Sequence, residues 1–550
     1  MRAEDKIRAL NVRRQSTDRQ YQDVRPIFQE IRDAMLPTRG RFSVGEERRG
    51  TGVNKRIIDN AARRGVRILR SGLKAGMTSP SRPWFRLGPH DRAIMNEPGV
   101  QQFYADAQEL MFEVFRGSNI YSMFDHAYTD LALFGTFGGL IMGDYEDVIR
   151  TQTFPVGSFL IAENERDEVD VMHWGAMMTA EQIVGRWGAE NVSNEVYRAY
   201  KNNTLRQPFE VCFAVEPRRK RDPMSKLKTD MPVAFFAWEK SATSKLLEEG
   251  GFETENVLAP RWETTAGEVW ATNWPALEAL GDTIQLQVQH RDKAQAIQYS
   301  YKPPMIAQAG LKKRFRNIPG GVTTLNTTDL QRGGLRPAVE VRPDVTALLG
   351  DINETRQRIR ESFFEDLFLL ISNDTRSNIT ATEIAARQEE KLLVLGPVLE
   401  SLDRGLLHPV IQATFHYMQE AGLLPEPPAV LEGTPVKVEY ISLLAQAQKA
   451  VGVAAIERTI GFIGSLAQVN PEVIDNLNPD ETLREFVGQV GPPPNMLRDK
   501  DEVAAIRESR AEREQTREVL GQAEPLANAA KLISEANQRG QEGLARAVPL

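Results

Sequence analysis

The 550 residues predict an α+β protein, mainly helical, with a β-rich stretch enclosed between helical ones. Three observations carry this prediction. Apolar residues recur at helical spacing in Leu277, Leu280, Ile284 and Val288, and again in Val345, Leu348, Ile352, Ile359, Phe363, Leu367 and Leu370. Between about 132 and 272 the period falls toward two, in runs such as Val169-Asp-Val-Met-His-Trp174 and Val233-Ala-Phe-Phe-Ala-Trp238. Finally, 41% hydrophobic and 26% charged residues are enough to pack several cores and exclude disorder throughout.

Residues 1 to about 130 read as helix with arginine-rich faces, among them Arg64, Arg67 and Arg70. A break falls at Met77-Thr-Ser-Pro-Ser-Arg-Pro83, because two prolines stop any helix, and Trp84 to Leu87 follows as a strand-like piece. Within the β-rich stretch one helical interruption is expected, from Ala180 to Trp187. At Asn273-Trp-Pro275 a capping residue and an early proline open a helix that runs to about Gln298. Its apolar face is Leu277, Leu280, Ile284 and Val288, and its other face carries Gln285, Gln289 and Lys293 as solvated polar surface.

A second helix starts at Pro343-Asp344 and continues for about 28 residues, roughly 42 Å. Between the two helices, Tyr301 to Pro343 is rich in Gly, Pro and Thr and reads as a small β-and-loop module on two helical legs. Basic charge collects there: Lys302, Lys312, Lys313, Arg314, Arg316, Arg332, Arg336 and Arg342 against Asp329 and Glu340 give +6 in a chain of −7 overall. On charge alone such a loop serves equally as a solubility feature or as a contact for nucleic acid or an acidic partner.

A polar loop, Ser372-Asn-Asp-Thr-Arg-Ser-Asn378, precedes Thr380-Ala-Thr-Glu383, which fits a capping box. The helix it opens is apolar at Ile384, Leu392, Leu395, Leu399, Leu402 and Leu406. Kinks are expected where Pro397 and Pro409 interrupt it, and Pro425-Glu-Pro-Pro428 ends it. Short helical pieces fill 440 to 490, Gly491-Pro-Pro-Pro494 separates them from the rest, and 10 of the 18 positions from Asp501 to Glu518 are charged, as in a solvent-laced helix.

Catalytic signatures are absent. No Gly-Lys-Ser/Thr closes a phosphate loop, so the chain is not expected to hydrolyse ATP. The six histidines contain no His-Glu-x-x-His, and His408 and His416 are separated by eight residues with Pro409 between. The single cysteine, Cys212, lies in the strand-like run Phe209 to Val215 and reads as a core residue rather than a nucleophile; it also excludes an intrachain disulfide. The longest nearly apolar stretch, Leu131 to Gly143, is shorter than the ~20 residues of a membrane-spanning helix, and the N-terminal residues mix acids and arginines unlike a signal peptide. The expectation is no enzyme, no cofactor, no metal and no membrane span.

Three strings sharpen the reading: Ser71-Gly-Leu-Lys-Ala-Gly-Met-Thr-Ser-Pro-Ser-Arg-Pro-Trp-Phe-Arg-Leu87; Asn378-Ile-Thr-Ala-Thr-Glu-Ile384 with Arg387, Glu390-Lys391 and Leu395-Gly-Pro-Val-Leu399; and Tyr440-Ile-Ser-Leu-Leu-Ala-Gln-Ala-Gln-Lys449. In this order, over roughly residues 10 to 500, they resemble the portal, or head-to-tail connecting, proteins of short-tailed bacteriophages. Met77-Thr-Ser-Pro departs from the Leu-Thr-Pro-Pro-like turn expected there, which affects a turn only.

The resemblance implies a portal fold with wing, stem, clip and crown, assembled as a homo-oligomeric ring, typically a dodecamer, at one capsid vertex. Residues 1–272 would be the wing, 273–300 and 344–371 the stem helices, 301–343 the clip and 372–381 the tunnel loop. Residues 382–439 would return to the wing through the kinked helix, 440–496 would include the crown, and 497–550 a C-terminal extension. A separate terminase would pump double-stranded DNA through the ring, major capsid and scaffolding proteins would surround it, and a tail adaptor would dock on it, with assembly in the host cytoplasm and residence in the virion. Sliding DNA wants polar walls with sparse positive charge rather than base-specific grips. Asn373, Arg376 and Asn378 of the tunnel loop and Gln285, Gln289 and Lys293 of the stem suit that role, and Lys312, Lys313, Arg314 and Arg316 of the clip suit partner binding. The rival is a DNA-processing enzyme, terminase-like or a nuclease, which lacks its phosphate loop and a clustered-carboxylate metal site.

Overall fold

The computed structural model describes residues 2–42, 57–89 and 99–301 apart from a few loop positions, the strand pairs 305–306 and 336–337, then 344–372, 394–431 and 436–441, with scattered positions elsewhere. The chain divides into two units, 1–451 and 452–550. Within the second, Arg507 makes a two-pronged ion pair with Asp480.

In the first unit, α1 (Ala3–Met35) turns Ile7 and Leu10 toward one sheet face and Tyr21, Phe28, Ile31 and Met35 into the main core. Helix α2 (Ala61–Met77) ends at the predicted double-proline break, and β1 (Phe85–Pro89) follows. Next come α3 (Val100–Gly117) and α4 (Ile120–Phe134), whose rings Phe112, Phe115 and Phe124 surround Trp84 within 6.3 Å, centroid to centroid. Helix α4 closes on Gly135 at φ +65, a left-handed cap that suits glycine, and a Cβ there would lie 2.7 Å from Ala271 Cβ.

The β-rich stretch forms two antiparallel sheets. The smaller has the order β3-β2-β9, from β2 (Gly138–Asp144), β3 (Val148–Phe154) and β9 (Val257–Leu258). The larger runs β4-β5-β6-β7-β8, from β4 (Phe159–Glu163), β5 (Val169–Thr179), β6 (Pro208–Pro217), β7 (Val233–Glu239) and β8 (Glu248–Phe252). The expected helical interruption is α5 (Ala180–Trp187), opened by a reciprocal capping box between Thr179 and Gln182. A second short helix, α6 (Asn194–Lys201), was not legible in the sequence, although Ser193 caps it. Cys212 is buried against α1, and burial pushes its thiol up to about 11, which suits a core residue.

The helix expected from Asn273-Trp-Pro275 is present as α7 (Pro275–Glu278) and α8 (Leu280–Tyr301), but its cap position is Trp274 rather than Asn273, whose amide donates to Glu278 at 2.9 Å; β10 (Met305–Ile306) pairs antiparallel with β11 (Arg336–Pro337) in the segment that follows. The long second helix is not continuous. It stops at Ser362 as α9 (Val345–Ser362), Phe364 takes φ +54, and α10 (Glu365–Ser372) resumes. The reason lies in α2, where Gly65 and Gly72 leave bare backbone against which Phe363 and Phe368 pack. A straight rod would give up one of those contacts.

The expected kinked helix is α11 (Gly396–Leu402), a π-helical turn (Asp403–Leu407) and α12 (His408–Glu420). Pro397 and Pro409 each sit in the first turn of a helical piece, and the wide turn absorbs the missing donor of Pro409. Strand β12 (Val436–Tyr440) then returns to pair with β1, Phe85 opposite Tyr440, with Ile441 N–H donating to the Trp84 carbonyl at 3.0 Å. Two strings singled out in the sequence are thereby joined across about 350 positions.

Candidate functional site

Helices α8 and α9 run antiparallel, and the seam between them is mostly polar. Asp282 on α8 accepts from Arg358 Nε at 3.1 Å and Nη2 at 3.0 Å, and seven residues on, the Gln289 amide donates to Asp351 at 2.5 Å and to Thr355 Oγ1 at 3.2 Å. Leu286, Ile352 and Ile359 supply the apolar part of the contact. The pair is tied to the body at the residues before α2. Gln287 accepts from the N–H groups of Ile58 and Asp59 at 2.7 and 2.9 Å and donates back to the Asp59 carbonyl at 3.0 Å. One Asp59 oxygen receives both Arg356 Nη2 at 2.6 Å and His290 Nε2 at 2.9 Å. Burial opposes ionisation of Asp59, but the Arg356 bond, the Ala61 N–H and the charges of Arg356 and His290 outweigh it and hold the carboxyl below its usual range.

This arrangement corrects the expected faces of α8. Gln289 is 8% exposed in the seam, Lys293 is half-buried and only Gln285 is fully on the surface, so the three do not form one solvated row. Of the expected apolar face, Ile284 and Val288 are 40% and 46% exposed, while Leu277 and Leu280 are half-buried against the main core. On α9, Leu349 is 42% exposed as well. Gln289 leaves the solvated row because its amide is matched seven residues on from the Asp282–Arg358 pair by Asp351 and Thr355 of α9. Asp59, Gln287, His290, Arg356 and Arg358 were missed. Their signal, polar groups at helical spacing on two separate segments, gains meaning only once the segments are known to touch.

The tunnel-loop residues Asn373, Arg376 and Asn378 and the clip residues Lys312, Lys313, Arg314 and Arg316 lie outside the described residues. The arginines marked on α2 serve the fold: Arg64 reaches the buried Glu365 at 2.9 Å, and Arg70 lies 3.4 Å from Asp125. Half-buried His416 stands 3.4 Å from Glu253 and 3.8 Å from Glu420, both exposed. Among the described residues no helix is long and apolar enough to cross a membrane.

The described residues thus form a mixed α/β body carrying a polar-seamed helix pair, with Ile284, Val288 and Leu349 exposed on that pair. The chain belongs to the bacteriophage head to tail connecting protein family, whose match spans residues 8–497. It is 38% identical to the portal protein of Salmonella phage epsilon15 over 508 residues, 92% of this chain and 91% of that one. It is 36% identical to the probable portal protein of Bordetella phage BPP-1 over 490 residues, 89% and 88% of the two chains. A chain of the virion of the native gene transfer agent particle aligns over 82% of this chain and 99% of its own, with a TM-score of 0.35 and 11% identity, and adds nothing to the assignment. The DNA-processing enzyme considered from the sequence is not favoured by this membership.

Proposed function

We propose that the protein is the portal of a phage capsid: a ring of identical subunits at one vertex through which a separate terminase drives double-stranded DNA, and onto which tail proteins dock. In this reading α8 and α9 are the stem, the segment between them the clip, residues 372–381 the tunnel loop, and the sheets with α1 to α6 the wing. The observation that carries it is the exposed Ile284, Val288 and Leu349 on a helix pair whose internal seam is held by polar bonds. Apolar side chains on the far side of such a pair are covered when a neighbouring copy lies against them, and a head-to-tail contact that closes makes a ring.

Replacing Ile284 and Val288 by aspartate is expected to leave the subunit folded, since both are exposed in it, and to abolish the ring. Light scattering and negative-stain images should show monomers with an unchanged circular dichroism spectrum. Rings that form normally with both aspartates would refute the stem contact.

Repetition around the ring sets the electrostatics of the channel. A single weak phosphate contact per subunit becomes a substantial field when every subunit repeats it, while dense positive charge would grip the DNA. Arg376 is the one basic residue between Ser372 and Ala381, flanked by Asn373 and Asn378. Alanine at Arg376 and Asn378 is expected to allow assembly and the start of packaging and to lower the DNA retained in filled heads. Full-length genomes held normally by that variant would remove the loop from the mechanism. The +6 clip, with Lys312, Lys313, Arg314 and Arg316, is assigned to terminase and adaptor contact.

A further inference from the structure

A cleft of about 930 Å³ opens between α1, the β2–β3 hairpin and the end of β5, with no residue of the helix pair in its lining. Its walls carry Arg14, Arg25, Arg41, Arg150 and Arg186 against one acid, Asp18, a concentration of positive charge in a chain that is −7 overall. Three of the five arginines have a carboxylate within ion-pair distance, and Arg25 donates to the Phe42 carbonyl, which leaves Arg41 as the one with neither among the described residues. Arg150 is 3.7 Å from Asp144 and Arg186 is 3.7 Å from Glu248, both long contacts, and Arg14 is 3.3 Å from Glu210.

The cleft also contains an unfinished sheet edge. Strand β4 pairs with β5 only as far as Phe159 opposite Trp174, while β5 continues to Thr179 with β6 on its other side. Among the described residues no strand lies beside Gly175 to Met178 on the β4 side, so that edge presents backbone donors and acceptors to the cleft. Met177 there is 40% exposed, and Trp174 and Phe235 line the apolar part.

His173 stands behind the lining and is fully buried; burial, with Arg14 and Arg13 close by, holds its pKa down to about 4, so the ring is neutral and the positive charge of the cleft is that of the arginines alone.

We infer that this cleft binds an extended acidic segment of another polypeptide, which adds a strand to the free edge of β5 while its carboxylates meet the surrounding arginines. Strand addition explains why edge and charge coincide: backbone bonds hold the segment, and alternate side chains reach the arginine walls on one side and the Trp174 and Phe235 side on the other. A bare anion would use the arginines but leave the edge idle. Double-stranded DNA would use the charge but cannot pair with a strand edge. The inference does not rest on the portal reading, since it needs neither a ring nor a channel.

The test uses the full-length protein and a fluorescein-labelled peptide of about six alternating glutamates and valines, read by anisotropy at about 150 mM salt. Saturable binding is expected, with a lysine-valine peptide failing to compete. Glutamate at Arg41 and Arg150, both on the exposed rim, should weaken binding by about tenfold or more with the thermal midpoint unchanged. The same peptide N-methylated at alternate residues, which keeps every carboxylate but cannot pair as a strand, should also bind about tenfold or more weakly. No binding of the parent peptide, equal binding of the N-methylated one, or insensitivity to the two arginine changes would each overturn the inference. So would a short DNA duplex that binds more tightly than the peptide and loses that binding in the same variant.

Discussion

Gly72→Ala is expected to destabilise the protein, against the usual sign of that substitution inside a helix. Alanine in place of a mid-helix glycine normally gains about 1 kcal/mol, because glycine loses more backbone freedom on folding. Here an added Cβ would lie 2.1 Å from Phe368 Cδ1 and 2.3 Å from Cγ, far inside van der Waals contact, and Phe368 is itself 6% exposed on α10 with no solvent to move into. Gly65 repeats the arrangement one heptad earlier, where a Cβ would lie 2.6 Å from Phe363 Cδ2. Overpacking of this kind costs about 1–3 kcal/mol and sometimes more, which exceeds the propensity gain. The urea midpoint should fall accordingly, and the thermal midpoint by about 1–2 °C, because the unfolding entropy of a unit this long makes each kcal/mol move it only a little. Because Phe368 is the group in the way, the cost of Gly72→Ala should be smaller in a Phe368→Leu background by about 1 kcal/mol. Strict additivity of the two changes, or a Gly72→Ala variant more stable than the parent, would dismiss the contact.

That pair of glycines also shows where sequence reading stops. The break at Met77 to Pro83, α5 from Ala180, the start of α7 at Pro275 and the interruptions near Pro397 and Pro409 all follow from residues whose backbone preference is local, and each is present. The discontinuity at Phe363 and Phe364 has no local cause, since no proline or glycine stands there. It is dictated by the glycines of α2, almost 300 positions earlier. The same holds for the divided apolar face of α8. Ile284 and Val288 were recognised as one apolar stripe, but an apolar stripe is covered either by the same chain or by a neighbouring one, and only the polar match of Asp282 with Arg358 and Gln289 with Asp351 decides between them. The cleft beside β5 was illegible for a related reason, because its five arginines come from α1, the chain after it, β3 and α5 and meet only in space.

Replacing Arg39 by methionine should cost about 3–5 kcal/mol at neutral pH, and the loss should shrink in acid. Asp130 is 1% exposed near the end of α4, and Arg39 grips it with two bonds, Nε to Oδ1 at 2.6 Å and Nη2 to Oδ2 at 3.0 Å, while also donating to the His126 carbonyl at 3.2 Å. The pair fixes the turn after α1 against α4. Burial raises the Asp130 carboxyl above its usual range even with Arg39 opposing the shift, and removing the guanidinium leaves burial unopposed. A carboxyl whose folded pKa exceeds its unfolded value of about 3.9 binds more protons in the folded state, so its contribution to stability falls as pH rises from the unfolded toward the folded pKa. In the methionine variant that window extends to higher pH, and the deficit relative to the parent should therefore be smaller near about pH 5 than near about pH 8. Adding Asp130→Asn to Arg39→Met removes the stranded charge, so the double variant should recover part of the loss at about pH 8 and lose the extra pH dependence. Urea unfolding across that range decides the matter: a deficit independent of pH, or a double variant no better than the single one, would mean that Arg39 acts through its bond to the His126 carbonyl and its packing rather than by neutralising Asp130.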